Sequence, residues 1–239
     1  MKRVSSSIGS LICLSCALIL PDMSSAGPVI QITAGVESSR FIDGLDISDG
    51  QAAVSIASEV SLDNGSFAGV DCYKSETLAF PNGIDAGCVF YVGYFAALTN
   101  QQAISATFSR GEYAPTPSPA RDWDYSTATL SWHTNRTTVF TLSASDDWLG
   151  RGYGAIGLNA AYQYSISDRW SANIEASYTN FEAMAPIDAI EYLGLGVRFE
   201  QGRWGSELKL HLNDTDLEQL TPFEVDQPDV SLRFTYRLY

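Results

Sequence analysis

From residue 29 onward, apolar and polar side chains alternate with a period of two. Ile30, Ile32, Ala34 and Val36 alternate with Gln31, Thr33, Gly35 and Glu37. Trp170, Ala172, Ile174, Ala176 and Tyr178 alternate with Ser171, Asn173, Glu175, Ser177 and Thr179. Val230, Leu232, Phe234, Tyr236 and Leu238 alternate with Ser231, Arg233, Thr235 and Arg237. A period of two puts successive side chains on opposite faces of a strand. Read along the chain, it predicts twelve strands, at 29–38, 51–62, 66–75, 86–98, 102–111, 123–133, 136–146, 152–165, 169–180, 189–200, 203–213 and 229–239. The faces of 66–75 and 102–111 are ambiguous.

The connections alternate in length. Asp63-Asn64-Gly65, Thr99-Asn100-Gln101, Thr134-Asn135, Ser167-Asp168 and Gln201-Gly202 read as tight turns. Between them lie longer loops at 39–50, 76–85, 112–122, 147–151, 181–188 and 214–228.

Alternation alone does not say whether the apolar face points inward or outward. Three features point it toward lipid. Strands of this length, in even number, with short turns at one end and long loops at the other, match an outer-membrane barrel. The opposite face carries Glu, Lys, Arg, Asn and Gln, which a small packed core could not satisfy. Aromatics stand near strand ends (Tyr162, Tyr164, Trp170, Tyr178, Trp204, Tyr236), where interfacial girdles sit. In hydrocarbon every backbone group must pair, so the strands should close on themselves. The expected fold is all-β: a transmembrane antiparallel barrel of twelve strands, with periplasmic turns and extracellular loops. Such chains often end on an aromatic in phase with the lipid face. Here the apolar phase runs through Leu238, one position before Tyr239.

The first 26 residues read differently. Lys2 and Arg3 precede an apolar run from Ile8 to Leu20, and small residues lead to Ala26. That is the layout of a cleaved secretory signal, and the run is too short to span a membrane as a helix. A lipoprotein signal acylated at Cys16 is the rival reading, weakened by Leu18-Ile19-Leu20 continuing the run. The expected division is a signal peptide at 1–26 and an outer-membrane barrel at 27–239, in a Gram-negative envelope. Cys13 and Cys16 leave with the signal. Cys72 and Cys88 remain, and in an oxidising compartment they are a candidate disulfide.

Charge changes the picture next. The 239 residues carry 28 acids against 14 Lys+Arg, a formal charge of −14. A phosphate backbone needs a basic footprint, so nucleic acid is excluded as a partner. On the barrel topology most of the acid excess falls in the long loops and their shoulders. Asp43, Asp46, Asp49, Asp146, Asp147, Asp214, Asp216 and Glu218 form an expected acidic extracellular rim. The rim could concentrate cations or bridge lipopolysaccharide through divalent ions, or simply keep the loops solvated. The alternating acids at 214–218 lack the glycine and terminal glutamate of a calcium loop, so no metal site is assigned. No cofactor is expected.

The last three strands carry the most charged polar stripe. Arg198, Glu207, Lys209, His211, Arg233 and Arg237 are the expected lumen-lining residues. The Gln201-Gly202 turn would put Gly205 opposite Arg198 and Glu207 diagonal to it. Such a stripe could select solutes by charge and size, or form a ladder that plugs the barrel. His133 is expected to be solvated at a periplasmic turn. His211 could lie across from Ser231, the one arrangement that raises a hydrolase.

The run from Glu37 to Val54 (ESSRFIDGLDISDGQAAV) resembles the opening of the Gcw_chp family. Phe90-Tyr91-Val92-Gly93-Tyr94 and Ser145-Asp146-Asp147-Trp148-Leu149-Gly150 are similar to later parts of it. Asp43 stands where that family often has arginine. The resemblance implies an outer-membrane barrel of unassigned function, with no substrate and no catalytic residues.

Three functions follow as expectations. The first is a porin-like channel for small solutes or cations, and not an enzyme. The second is a closed barrel whose loops bind lipopolysaccharide, ions or partners. The third is a lipid-modifying enzyme. All require insertion by the barrel assembly machinery.

Overall fold

The computed structural model describes residues 28–42, 45–48, 50–75, 84–115, 124–135, 137–150, 152–182, 189–213 and 229–238. The 1–26 segment, and with it the signal reading, lies outside the described residues.

Twelve long strands close into one antiparallel barrel. They are β1 (Val29–Glu37), β4 (Ala53–Ser61), β5 (Ser66–Ser75), β6 (Ile84–Ala97), β7 (Gln102–Pro115), β8 (Tyr125–Thr134), β9 (Thr138–Ser145), β10 (Ala155–Ser165), β11 (Trp170–Phe181), β12 (Ala189–Gln201), β13 (Trp204–Asn213) and β14 (Asp229–Arg237). Each pairs with its neighbours in sequence, and β1 pairs with both β4 and β14, so no edge is left open. Two short strands, β2 (Phe41–Ile42) and β3 (Leu45–Asp46), pair with each other as a small hairpin in the first loop.

The expected boundaries fall within three residues of the observed ones, except that β7 runs on to Pro115. The apolar face is the outer one: Val36, Ile56, Val92, Phe108, Leu130, Leu158, Leu208 and Phe234 are all exposed. An apolar surface that continuous is intolerable in water and ordinary in lipid. Tyr164, Trp170 and Trp204 are exposed near the short turns, and Trp170 packs on Phe199 as Trp204 does on Tyr236.

The ambiguous faces resolve. In β7, Ala103, Ser105, Thr107 and Ser109 point in, and Ile104 and Phe108 point out. In β5, Phe67, Asp71 and Tyr73 point in, so apolar and charged side chains share one face. That mixture obscured the alternation.

Two turns sit later than expected. The β12–β13 turn is Gly202-Arg203, because Gln201 pairs with Trp204. Gly202 takes the left-handed conformation (φ 62°) that a two-residue hairpin needs. Likewise Thr134 pairs with Thr138, which places the β8–β9 turn between them.

Cys72 and Cys88 face each other across β5 and β6 and form a disulfide. Both alternate in phase with the outer face, beside exposed Phe90. The bridge closes a loop with a sequence separation of 16, which is worth about 3 kcal/mol in the chain-entropy account. Cys72→Ser/Cys88→Ser should therefore lower the temperature at which the folded barrel converts to its unfolded band on gels. An unchanged transition would show that the bridge does not stabilise the barrel.

Candidate functional site

The inner face divides into two unlike halves. On β7, β8 and β9 nearly every inward side chain is small. Three cross-strand rows stack along this wall: Ser105, Ser131 and Thr141; Thr107, Thr129 and Ser143; Ser109, Thr127 and Ser145. None of these nine is charged, and each row is a set of hydroxyls directly abreast.

The other half is charged. Arg198, Glu207, Arg233 and Glu37 stand side by side across β12, β13, β14 and β1. Charge alternates along that row, so each group has an opposite neighbour. Glu207 is directly opposite Arg198, not diagonal to it. The expectation placed the turn one position too early, which shifts the register by two, and the Gln201–Trp204 pair corrects it. Arg233 Nε lies 3.7 Å from Glu37. Nearer the short turns, Arg198 meets Glu200 at 2.5 Å, and Arg237 approaches the same carboxylate at 4.0 Å.

Lys209 and Glu175 come from strands that are not neighbours. β12 lies between them, and it offers Gly194 and Gly196 on the inner face. A Cβ at Gly194 would meet Lys209 Cε at 2.6 Å, and one at Gly196 would strike Asn173 Oδ1. Across the two glycines Lys209 Nζ donates to Glu175 at 2.7 Å, and Asn173 Nδ2 donates to Glu207 at 2.5 Å. Asn159 Nδ2 donates to the other Glu175 oxygen at 2.8 Å. On the far side Tyr91 donates to Glu59 at 3.0 Å.

The first loop does not stay outside. Its hairpin turns into the mouth of the barrel, where Arg40, Ile47 and Ser48 are buried. Arg40 donates to Glu37 at 2.7 Å and to Asp71 at 3.1 Å, and its guanidinium lies 5.1 Å from the Tyr73 ring. Phe41 stacks on the His211 imidazole, 3.7 Å between centroids. The hairpin is tied to itself: Arg40 N–H donates to Ser48 Oγ, and Ile47 N–H to the Arg40 carbonyl. Asp46, expected on the rim, instead accepts from Ser48 N–H, Ser48 Oγ and Gly50 N–H. Burial raises its carboxyl above the ordinary range, against the pull of those hydrogen bonds.

Around the hairpin an apolar cluster fills the mouth. Ile47 packs with Ala53, Tyr73, Tyr113, Trp148, Ala155, Phe181 and Ile190. Trp148 enters from a short 3-10 turn (Trp148–Gly150) and meets Phe181 edge-on at 5.0 Å. Of the remaining rim residues, Asp146 is exposed, and Asp147 accepts from Gly152 N–H at 2.6 Å. Asp43, Asp49, Asp214, Asp216 and Glu218 lie outside the described residues.

The histidines also find partners. His211 Nε2 is 2.8 Å from Ser231 Oγ and its Nδ1 is 3.1 Å from Tyr192 hydroxyl. The register places Asp229 opposite His211 and Ser231 opposite Lys209, so the His–Ser contact is diagonal. His133 is not solvated: it is 1% exposed, beside Phe95, with Nε2 2.9 Å from Ser105 Oγ. It points into the barrel because it shares the phase of Thr129 and Ser131. No group of His, Cys, Asp and Glu among the described residues could hold a metal ion.

All six residues expected to line the lumen sit on the inner wall. Sequence reading missed Arg40, Glu37, Glu59, Asp71, Glu175 and Asn173. Four of the six could have been found from the polar phase of their strands. Asp71 sat on an ambiguous strand, and Arg40 has no phase because it lies in a loop.

No family model and no curated protein matches the sequence. The fold does have likenesses among solved structures. The KdgM porin superposes with a TM-score of 0.55 at 8% identity, covering 87% of this chain and 97% of that one. The KdgM porin in complex with disordered oligogalacturonate gives 0.54 at 9% identity, over 87% and 98%. LpxR from Salmonella typhimurium gives 0.45 at 8% identity, over 87% and 99%. At these identities the porin likenesses show the fold: an outer-membrane type of closed antiparallel barrel.

Proposed function

We propose that this chain is a porin-like channel of the outer membrane for small polar solutes, exported by a signal peptide cleaved after Ala26. The observation that carries this reading is the inner wall. Away from the apolar cluster at the mouth it is mainly charged or hydroxyl-bearing, inside a closed barrel whose outer wall is apolar. A packed soluble barrel has the opposite arrangement. The first-loop hairpin supplies the constriction at the mouth. The likeness to the KdgM porin supports the channel architecture.

Selectivity follows from the charges. The described inner residues include six carboxylates (Glu37, Glu59, Asp71, Glu175, Glu200, Glu207) and five cations (Arg40, Arg198, Lys209, Arg233, Arg237). Most are paired with each other, which leaves no basic track for a polyanion. The oligogalacturonate held by the KdgM porin is therefore a poor model for the solute here. Planar-bilayer recording in a KCl gradient should give a conducting barrel with a modest preference for K⁺. Folded protein that adds nothing to the lipid background would overturn the channel reading.

The mouth cluster favours a second reading, a closed barrel that binds lipopolysaccharide, divalent ions or partners through its acidic loops. Its sign is zero conductance together with calcium-dependent lipopolysaccharide binding. An enzyme is disfavoured by the His211 surroundings. Tyr192 occupies the Nδ1 position where a carboxylate would orient a base, and Phe41 covers the ring. The same Ser–His contact recurs at Ser105 and His133, so it reads as a way of satisfying a buried imidazole.

A further inference from the structure

Resting on the channel reading, we propose that the hydroxyl wall of β7–β9 is a binding track for uncharged polyhydroxylated solutes, small sugars above all. Nine serine and threonine side chains stand in three rows of three, with Asn159 beside the row of Ser105, Ser131 and Thr141. Each hydroxyl can donate and accept, which is the chemistry of the hydroxyls on a sugar. The wall carries no charge, so an anion or cation sliding along it would lose hydration without gaining a counter-charge.

Side-chain length places the track. Arg198, Glu207, Lys209, Arg233 and Arg237 reach into the barrel from the opposite half. The hydroxyl wall contributes nothing longer than threonine. A solute on this track would run along the hydroxyls, whose β7 and β8 residues are 2–8% exposed.

A second observation points to a ligand there. Thr129 is 6% exposed, and its Oγ1 has no hydrogen-bond partner. Ser145 Oγ, in the next row, has none either, nor does His133 Nδ1 at the foot of the wall. Buried polar atoms are almost always satisfied. Thr129 Oγ1, Ser145 Oγ and His133 Nδ1 are thus three groups on this wall with bonding capacity that no other side chain meets. On the charged half Lys209 bonds Glu175, Glu207 accepts from Asn173, and Arg198 bonds Glu200.

The test uses the whole barrel in proteoliposomes, with glucose and gluconate as probes of similar size. Swelling reports solute entry, and KCl conductance of the same preparation reports the open barrel. Wild type should admit glucose several-fold faster than gluconate. Thr107→Val/Thr127→Val/Thr129→Val keeps side-chain size and removes three hydroxyls. It should lower the ratio of glucose entry to KCl conductance several-fold, and the matching Thr→Ser variant should restore that ratio. Heat-modifiability on gels establishes that each variant is folded. An unchanged ratio in the valine variant overturns the track and leaves the channel standing. Equal entry of glucose and gluconate into wild type does the same. Folded wild type that neither conducts nor swells overturns the track together with the channel.

Discussion

Arg40→Met should release the first-loop hairpin from the mouth and raise the conductance of the barrel. Arg40 bonds both Glu37 and Asp71, and Arg233 approaches Glu37 less closely, at 3.7 Å. The Arg40, Glu37 and Asp71 side chains are nearly inaccessible to water. Removing one member of such a buried group typically costs about 3–5 kcal/mol, because the surviving charges keep their desolvation penalty. Here the chain has a cheaper response than unfolding. The hairpin can swing out and let water reach Glu37 and Asp71. What holds it back is Ile47 in the mouth cluster and Phe41 on His211, and burying one such apolar side chain is worth about 1.5–3 kcal/mol. The two effects are comparable, and a bias of about 3 kcal/mol moves an in/out ratio roughly a hundredfold. Single-channel recording should therefore show larger and longer openings in Arg40→Met than in wild type. Arg40→Met/Glu37→Gln/Asp71→Asn removes all three charges and should fall back toward wild type. Identical conductance in wild type and Arg40→Met would mean that the hairpin is not the constriction.

The barrel was legible because lipid enforces a strict rule. Every spanning strand must show an apolar outer face, and 30–37 of β1, 170–179 of β11, 193–199 of β12 and β14 obey it residue by residue. β5 did not, for a physical reason. Phe67 and Tyr73 face inward, and the glycines on neighbouring strands receive their rings: a Cβ at Gly93 would strike the Phe67 ring, and one at Gly87 would press on Tyr73. An aromatic that packs over an inner glycine looks, in sequence, like a lipid-facing residue. His133 misled in the same way: a polar group beside a turn looks solvated until its phase is followed to Ser131 and Thr129. The first loop was not legible at all. Nothing in the alternation says that Arg40 turns inward, because its two partners are Glu37, three residues before it, and Asp71, two strands away. The Arg198–Glu207 pairing depended on which glycine-containing dipeptide makes the turn, and a shift of two positions keeps every residue on its face. That error left the inner wall correct and its partners wrong.

Lys209→Met should destabilise the barrel and sharpen its preference for cations, and Glu175→Gln on the same background should undo most of both effects. Lys209 and Glu175 bond at 2.7 Å across a strand, and their side chains are 12% and 5% exposed. Asn159 donates to the same carboxylate, so loss of Lys209 leaves Glu175 held in place with its charge uncompensated. The cost should approach the about 3–5 kcal/mol of a broken buried pair. It should be smaller if water in the bore reaches the carboxylate. The heat-induced gel shift reads the stability change, and the reversal potential in a KCl gradient reads the charge change. Stability alone could be lost through packing, since the Lys209 ammonium also lies 5.4 Å from the Tyr192 ring. The potential separates the two causes. A packing defect leaves it unmoved, whereas an exposed Glu175 carboxylate drives it toward K⁺, and Glu175→Gln returns it. Gly194 and Gly196 make this pair possible, so Gly194→Val should imitate part of the effect by pushing Lys209 off its line to Glu175. A Lys209→Met barrel with the wild-type reversal potential would show that permeating ions do not sense this pair, and would move the selective part of the bore elsewhere.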